Sequence, residues 1–417
     1  MSHLFTLAMK NLSRYRKRTI ITASAIAFGL ALFIFMDSWL QGASRDSEIN
    51  LINYETSSAK IMHPEYLEER DSLPLKYLIE EPQALFAELD AAGIPAAGRI
   101  GFQAELFVRQ DPYPQDGSLY VKATAIDTER DGDVYKLQET LESGRFLTAD
   151  DEGVMLGAWL AEDLGAEVGY PLTLKTRTRY GAYETMELEV VGILNVPNPV
   201  INRVGVFVPL TTADYYLDMD GALTEVALRL PMEGNIEEQT AELREVIGSL
   251  DKGLSLHSWK ALAPDYVAMD AMKTQGSSKI LFLVFLIAAV GITNTMLMAV
   301  YERTRELGMM RAMGMTARQI KWTFLFEAAG IGLIGSAIGV LVGCLINWPM
   351  VQWGIDYSFV VREFDVGYRI TGIFRSLWSV QTIVRAFFAG IVMAMIVALI
   401  PIRRALKMNI TACLRSE

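Results

Sequence analysis

The residue types that carry out catalysis and metal binding are present in this chain, but their spacing favours neither. The three histidines, His3, His63 and His257, form no metal-ligand pattern, and we expect each to be an ordinary polar residue. The sequence contains no G-x-x-x-x-G-K-[ST] phosphate loop, no G-x-S-x-G elbow and no C-x-x-C pair. We therefore expect that this chain does not hydrolyse ATP itself and forms no catalytic, metal or cofactor site.

One acidic string has part of the spacing of a calcium loop. Asp127, Glu129, Asp131 and Asp133 match the first half of an EF-hand loop, in which alternate oxygen ligands surround the ion. The twelfth position of such a loop needs a bidentate Glu, and it is Gln138 here. We interpret the string as a solvated turn.

The stretch from Glu302 to Ile320, ERTRELGMMRAMGMTARQI, mixes charged and apolar residues between two runs without charge, residues 280–301 and 328–355. A short, basic, helix-prone segment between two membrane spans is a place where a cytoplasmic partner can push on a membrane protein. The sequence therefore indicates the membrane part of a machine whose motor lies elsewhere.

Four segments are long and apolar enough to cross a membrane. A spanning helix needs about 20 mostly apolar residues, because the hydrocarbon core is about 30 Å thick and a helix rises about 1.5 Å per residue. We predict transmembrane helices at residues 19–40, 280–301, 322–351 and 386–402. Cleavage of the first as a signal peptide stays open, although its apolar run exceeds the usual length of about 7–15 residues.

The distribution of charge predicts the orientation of these spans. Three segments are basic: 1–18 with a net charge of +5, 302–321 with +3 and 403–417 with +3, whereas residues 41–279 carry −21. Basic segments stay in the cytoplasm, so we expect both termini and 302–321 inside. Residues 41–279 and the short loop 352–385 are expected outside. The acidic overall balance gives no reason to expect nucleic-acid binding.

Residues 41–279 are predicted to fold as an extracytoplasmic (periplasmic) α+β domain inserted between spans one and two. Thr224 to Leu230 alternates as a half-buried strand, and Asp133 to Leu141 and Ile236 to Leu250 are expected to be helical. No cysteine occurs in this region, so no disulfide stabilises it. A division of this domain into two lobes, near residues 111–117 or near Gly144, stays open.

Small and ionisable residues in the spans predict contacts between helices. Gly335, Gly339 and Gly343 are four residues apart in the third span, which allows a second helix to approach closely. That partner is either a neighbouring span or a second copy of the chain. Asp37 and Glu327 lie near span ends, where they either face the membrane interface or make polar contacts inside the bundle.

Several of these stretches resemble the FtsX-like permeases, a group that includes the macrolide-efflux MacB and lipoprotein-releasing LolC/LolE transporters. The similarity extends over nearly the whole chain. It is carried by LAMKNLSRYRKRTIIT (Leu7 to Thr22), SGRFLTADDEGVMLGAWLAEDLG (Ser143 to Gly165), VVGILNVPNP (Val190 to Pro199), the stretch at Glu302, and PIRRALKMNITACLR (Pro401 to Arg415). The tail departs from the family pattern at Ile410, where Pro is usual, and at Cys413, where Ala is usual.

The resemblance implies a four-span, non-catalytic permease of the bacterial inner membrane. It implies a dimer of permeases, with an identical or a different second copy, bound to two separate ATPase subunits that hold ATP and Mg. Energy would pass as motion through the spans to the exported domains, a mechanism termed mechanotransmission. The residues expected to couple to the ATPase are Glu302, Arg303, Arg305, Glu306, Leu307, Gly308, Met310, Arg311, Met313 and Gly314.

Within this group we favour a permease that extracts lipoproteins from the outer leaflet of the inner membrane and passes them to a periplasmic carrier. The alternatives are MacB-like export of periplasmic peptides or drugs, and FtsX-like regulation of a cell-wall hydrolase. An acylated substrate needs an apolar surface near the outer leaflet. The residues expected to form it, unless they only face lipid, are Phe33, Met36, Leu40, Ile280, Val284 and Ile287.

Overall fold

The computed structural model describes residues 16–108, 118–247, 253–302, 309–356, 370 and 372–406. The chain divides into two compact units. The helical unit contains residues 1–43, 270–356 and 374–417, and the sheet unit contains residues 44–269 and 357–373.

Helices and strands alternate through the sheet unit, and long helices make up the helical unit. The helices, in chain order, are α1 (Arg16–Leu51), α2 (Pro64–Glu69), α3 (Pro82–Ala91), α4 (Asp131–Val134), α5 (Ala158–Leu164), α6 (Pro199–Val204), α7 (Leu210–Leu217), α8 (Ile236–Ile247), α9 (Trp259–Leu262), α10 (Pro264–Glu302), α11 (Ala317–Gln352) and α12 (Val380–Leu406). The strands are β1 (Ala59–Met62), β2 (Ala96–Val108), β3 (Leu119–Ile126), β4 (Leu141–Gly144), β5 (Gly153–Gly157), β6 (Pro171–Arg177), β7 (Tyr183–Leu194), β8 (Val206–Pro209), β9 (Glu225–Leu228), β10 (Ser255–Ser258), β11 (Ile355–Asp356) and β12 (Ile373–Phe374).

Four helices of the described chain, α1, α10, α11 and α12, are long and apolar enough to cross a membrane. Each contains one of the predicted spans and continues beyond it. The α+β region lies between the first and the second of these helices, as the sequence predicts. Because a helix rises about 1.5 Å per residue, every one of the four exceeds the length that the hydrocarbon core requires.

The core of the helical unit is an apolar cluster contributed by several of these helices. Leu30 and Ile34 of α1 are fully buried, as are Ala386 and Ala398 of α12. Ile331 of α11 belongs to the same cluster. In contrast, α10 leaves most of its apolar side chains exposed, so within this unit it contributes least to the core.

The sheet unit is built on one sheet of ten strands, six of which form a closed ring of pairings. The ring runs β2–β3–β8–β5–β7–β6 and returns to β2, because β2 pairs with β3 and also with β6 through residues 104–108. Strands β9, β1 and β10 extend the sheet from the first residues of β2, and β4 pairs with β7. A single sheet joins all ten strands. Of the two predicted lobe boundaries, residues 111–117 lie outside the described residues, and the one near Gly144 stays a prediction.

Local prediction was accurate for some elements and wrong for others. The predicted strand at Thr224 to Leu230 contains β9, and the helix predicted from Ile236 to Leu250 contains α8. The helix predicted from Asp133 to Leu141 is wrong: α4 ends at Val134, a 3-10 turn follows at Leu137–Thr140, and β4 begins at Leu141. Tyr135 takes an extended conformation and is buried with Leu137 in an apolar cluster, so tertiary packing overrides the local helical preference there.

Candidate functional site

The segment between α10 and α11 is the site that the sequence singles out, and the structure describes its second half. Arg303, Arg305, Glu306, Leu307 and Gly308 lie outside the described residues, as does the side chain of Glu302. The other predicted coupling residues, Met310, Arg311, Met313 and Gly314, are described. We use the name coupling turn for residues 309–316.

The coupling turn ends one helix and starts the next within a few residues. The chain is helical at 309–312, and Gly314 then adopts the left-handed conformation with φ of +93°. Met315 N donates to Met310 O (3.0 Å) and Gly314 N donates to Arg311 O (3.1 Å), which is the pairing of a Schellman motif. The helix therefore ends at Ala312, because Gly314 adopts the left-handed conformation.

A capping box then starts α11. Gln319 N donates to the Thr316 hydroxyl (3.3 Å), and the Gln319 side chain accepts a hydrogen bond from Thr316 N (2.8 Å). Such reciprocal bonds satisfy amide groups that the first helical turn leaves unpaired. A sequence signal for this helix start exists, since Gly314 precedes the T-x-x-Q pattern of Thr316 to Gln319.

The side chains of the coupling turn divide into a buried and an exposed set. Met310 and Met315 pack against the apolar cluster of the helical unit. Arg311 Nη1 lies 3.5 Å from the carbonyl oxygen of Leu406 at the end of α12. Met309 and Met313 are exposed, Met313 by 77%. An apolar, flexible side chain left at the surface is typical of a contact site for a partner.

The glycines of α11 lie against α1. A Cβ atom added to Gly335 would come within 2.9 Å of the carbonyl oxygen of Ala23, and one on Gly339 within 2.9 Å of that of Ala27. A Cβ on Gly343 would meet the Ile34 side chain at 3.1 Å. The stripe therefore packs inside this chain, against the neighbouring span rather than a second copy.

Ionisable side chains of the spans make polar contacts within the helical unit. The carboxylate of Asp37 accepts hydrogen bonds from the Thr382 hydroxyl of α12 (2.5 Å) and from the Gln41 amide (2.5 Å). Glu327 of α11 is buried, with 1% of its surface exposed. Of the two interpretations that the sequence leaves open for these residues, the structure favours contacts inside the bundle.

The six residues predicted to form one substrate surface differ in how exposed they are. Phe33 is buried in the apolar cluster of the helical unit, and Met36, Leu40 and Val284 are half-buried. Ile280 and Ile287 are exposed on α10. Val284 faces α1, since a Cβ on Gly29 would lie 2.6 Å from Val284 Cγ1.

The acidic string is not a solvated turn throughout, and that interpretation is wrong for Asp131. Asp131 is 1% exposed, and its carboxylate accepts two hydrogen bonds from Arg99 of β2, at 2.9 and 3.1 Å. The Arg99 guanidinium lies 3.3 Å from the centroid of the Tyr135 ring. Among the described residues, no group of three or more His, Cys, Asp or Glu side chains is arranged to hold a metal ion.

A second buried ion pair lies near the first. Lys60 of β1 donates a hydrogen bond to Glu225 of β9 at 2.6 Å, across paired strands. Burial lowers the pKa of the Lys60 ammonium group, but the charge of Glu225, the nearby Tyr135 and the hydrogen bond to Glu225 together raise it above its usual value. Both ion pairs are structural parts of the sheet unit, and sequence analysis gave no signal for either pairing.

Comparison with known proteins gives two family models and several relatives. The model described as MacB-like periplasmic core domain matches residues 19–246, more than half of the chain, and the model described as FtsX-like permease C-terminal matches residues 278–410. The macrolide export ATP-binding/permease protein MacB of Escherichia coli is 23% identical over 426 residues, covering 99% of this chain. The ABC transporter permease YtrF of Bacillus subtilis is 34% identical over 136 residues, covering 32% of this chain and 30% of YtrF.

The chain spans 60% of the length of the Escherichia coli MacB relative. Among solved structures, the periplasmic region of MacB from Actinobacillus actinomycetemcomitans covers 52% of this chain and 95% of its own length, with 15% identity and a TM-score of 0.33. That score is too low to support an argument.

Proposed function

The chain belongs to the ABC transporter permeases of the MacB and FtsX type, and from that premise we propose that it extracts lipoproteins from the outer leaflet of the bacterial inner membrane. ATP hydrolysis by a dimer of separate ATPase subunits, which hold the ATP and Mg, drives the cycle. A second permease copy completes the complex, and a periplasmic carrier receives the substrate. This chain contributes no catalytic residue and transmits motion.

The observation that carries the proposal is the construction of the coupling turn. Its Schellman motif and capping box give residues 309–316, which lead directly into α11, a defined conformation. Met310 anchors the turn to the apolar cluster, while Met309 and Met313 are free to contact a partner. A push on the exposed methionines is therefore transmitted to α11 rather than absorbed by a flexible loop.

The exposed apolar face of α10 supports the proposal that the substrate is acylated. Several neighbouring apolar side chains of α10 have more than half of their surface exposed, among them Phe282, Leu283, Leu286, Ile287 and Val290. Acyl chains and membrane lipid both cover such a face, and each buried methylene contributes about 0.8 kcal/mol in either case. The preference for a substrate therefore comes from shape and from polar contacts to its linker.

MacB-like export of a periplasmic peptide or drug is the second candidate. It is favoured by the relatives themselves, since the MacB of Escherichia coli aligns with 99% of this chain. The two candidates differ in whether the substrate begins in the membrane or in the periplasm.

Photo-crosslinking of the purified complex in nanodiscs tests the proposal. A benzoylphenylalanine at Ile287, on the exposed face of α10, should capture a triacylated lipoprotein without ATP and release it when ATP is added. The same group at Phe33, inside the apolar cluster, is the matched control and should capture little. Capture of phospholipid alone at Ile287, together with stimulation of the ATPase by a soluble peptide, would replace lipoprotein extraction by MacB-like export.

A further inference from the structure

A cleft of about 560 Å³ lies in the sheet unit, outside the predicted sites. One wall is the segment 72–76, and the floor is the outward face of β2, β6 and β7. Side chains on this face alternate with buried ones: Lys175 and Arg177 of β6 point outward, whereas Leu174 and Thr176 point into the unit. The cleft is thus formed by a sheet face and a crossing segment, and we call it the basic cleft.

The charge of the basic cleft is opposite to that of the region around it. Residues 41–279 carry a net charge of −21. The lining of the cleft nevertheless contains four basic residues, Lys76, Lys175, Arg177 and Arg179, and a single acidic one, Glu105. A positive concave surface in an acidic domain attracts anionic ligands that the rest of the domain repels.

Two of these cations are not used by ion pairs within the described residues. Arg179 pairs with Glu80 at 3.1 Å, and Lys76 pairs with Glu69 at 2.9 Å. Lys175 and Arg177 are exposed. Neither forms an ion pair among the described residues, and Glu105 is the cross-strand neighbour of Lys175.

An exposed aromatic ring holds these two cations in place. The guanidinium of Arg177 lies 4.6 Å from the centroid of the Tyr183 ring on the paired strand, and Lys175 Nζ lies 5.1 Å from it. Arg177 also donates a hydrogen bond to the Tyr183 hydroxyl (2.5 Å). Tyr120 of β3 adds a second exposed ring to the lining. The cleft therefore offers two positioned charges between aromatic surfaces.

We propose that the basic cleft binds an acidic segment of a partner protein in an extended conformation. Lys175 and Arg177 are two residues apart on one strand face, so their Cα atoms are about 6.6 Å apart. Alternate residues of an extended peptide have the same spacing, so two alternate carboxylates can meet the two cations together. Strand β6 is paired with both β2 and β7, so the segment lies across the face and is recognised through side chains, not by adding a strand.

The binding does not depend on ATP or on the coupling turn, so it can fail or succeed separately from the proposed function. The experiment uses the full chain in nanodiscs of neutral lipid and a fluorescent ten-residue peptide in which Glu alternates with Ser. A peptide in which Gln replaces every Glu is the ligand control. We expect the Glu peptide to bind at least about tenfold more tightly than the Gln peptide, with an affinity that falls as salt rises.

Two pairs of substitutions test whether the Glu peptide binds in the basic cleft. Replacing Lys175→Gln together with Arg177→Gln removes two exposed charges without touching the core, and should weaken binding of the Glu peptide about tenfold. The matched control, Lys136→Gln with Lys260→Gln, removes two exposed charges elsewhere in the sheet unit and should leave the affinity within about twofold. Equal weakening by both pairs would mean general attraction and would overturn the proposal.

Two further probes separate the protein segment from other anions. Inorganic phosphate should compete only at concentrations far above that of the peptide, and vesicles containing phosphatidylglycerol should bind the variant and the original chain equally. Competition by phosphate at the peptide's own concentration would assign the cleft to a small anion. Vesicle binding that requires Lys175 and Arg177 would assign it to a lipid surface.

Discussion

At the scale of single residues, the sheet unit depends on charges that it buries. Arg99 and Asp131 are 3% and 1% exposed, and each satisfies the other through two hydrogen bonds. A buried charge that loses its partner is strongly destabilising, because the remaining ion is neither hydrated nor paired. The pair is therefore required once it is present, even where an apolar pair would pack equally well.

Replacing Asp131→Asn should lower the free energy of unfolding by about 3–5 kcal/mol, because the Arg99 guanidinium stays buried without a counter-charge. Asp133→Asn is the control, since Asp133 belongs to the same short helix and is exposed. Hydrogen exchange of the full chain should show faster exchange in β2 for the first variant only. Equal exchange in both would show that the pair is dispensable.

The ion pair between Arg145 and Asp151 should make the free energy of unfolding depend on pH in the acidic range. Hydrogen bonds from Arg145 and from the backbone of Thr148 lower the pKa of Asp151 to about 2. Because this lies below the value of about 3.9 in an unfolded chain, the pair stabilises above pH 4, and its contribution disappears as the pH falls toward 2.

Asp151→Asn should therefore reduce stability by up to about 1 kcal/mol at pH 6, since the pair is partly exposed. The thermal unfolding midpoints of the variant and the original chain should converge between about pH 4 and pH 2. A difference between the two midpoints that stays constant over this range would contradict the assignment.

At the scale of elements, the sequence predicts what local pattern controls. Apolar runs predict the four long helices, and the four-residue spacing of Gly335, Gly339 and Gly343 predicts a close contact with another helix. The sequence does not predict the closure of the sheet. Strand β2 pairs with β6 across more than 60 intervening residues, and nothing in either strand identifies its partner. The pairing of Asp131 with Arg99 was missed for the same reason.

Close packing of α11 on α1 predicts a steric effect. Gly339→Val places a Cβ within 2.9 Å of the Ala27 carbonyl oxygen, and overpacking of this kind costs about 1–3 kcal/mol. Gly291→Val in α10 is the matched control, because a Cβ there meets no atom within 4 Å. The thermal unfolding of the full chain in detergent should shift for Gly339→Val and not for Gly291→Val, and equal shifts would argue against this contact.

The coupling turn predicts a loss of communication without loss of fold. Met309→Glu with Met313→Glu places charges on the exposed side chains of the turn and should abolish stimulation of the ATPase by substrate. Gln352→Glu, exposed at the other end of α11, is the control and should retain stimulation. Met310→Glu should instead destabilise the helical unit, since Met310 packs against its cluster. Normal stimulation in the double variant would exclude Met309 and Met313 from the interface.

At the scale of the whole molecule, the distribution of charge predicts one orientation of the spans. The basic segments 1–18, 302–321 and 403–417 are expected in the cytoplasm. Exposed tryptophans lie at the opposite ends of the spans: Trp348 and Trp353 near the end of α11, and Trp378 just before α12. Tryptophan is enriched at both membrane interfaces, so these residues mark span ends, and the outward orientation of those ends is a prediction from charge alone.

Cysteine labelling tests this orientation, and the structure decides where the cysteines belong. Thr316 and Asp220 lie on the two predicted sides of the membrane but are unsuitable positions for a cysteine. Thr316 caps α11 and Asp220 has a φ of +55°, so substitutions at either would disturb the fold. Tyr215 and Arg318 are exposed and serve better. In a chain with Cys344→Ser and Cys413→Ser, an impermeant maleimide applied to intact cells should label Tyr215→Cys at once. It should label Arg318→Cys only after the membrane is opened, because the positive segment 302–321 is expected to stay in the cytoplasm. Labelling of both positions from outside would place the coupling turn out of reach of any ATPase and would remove the basis of the proposed function.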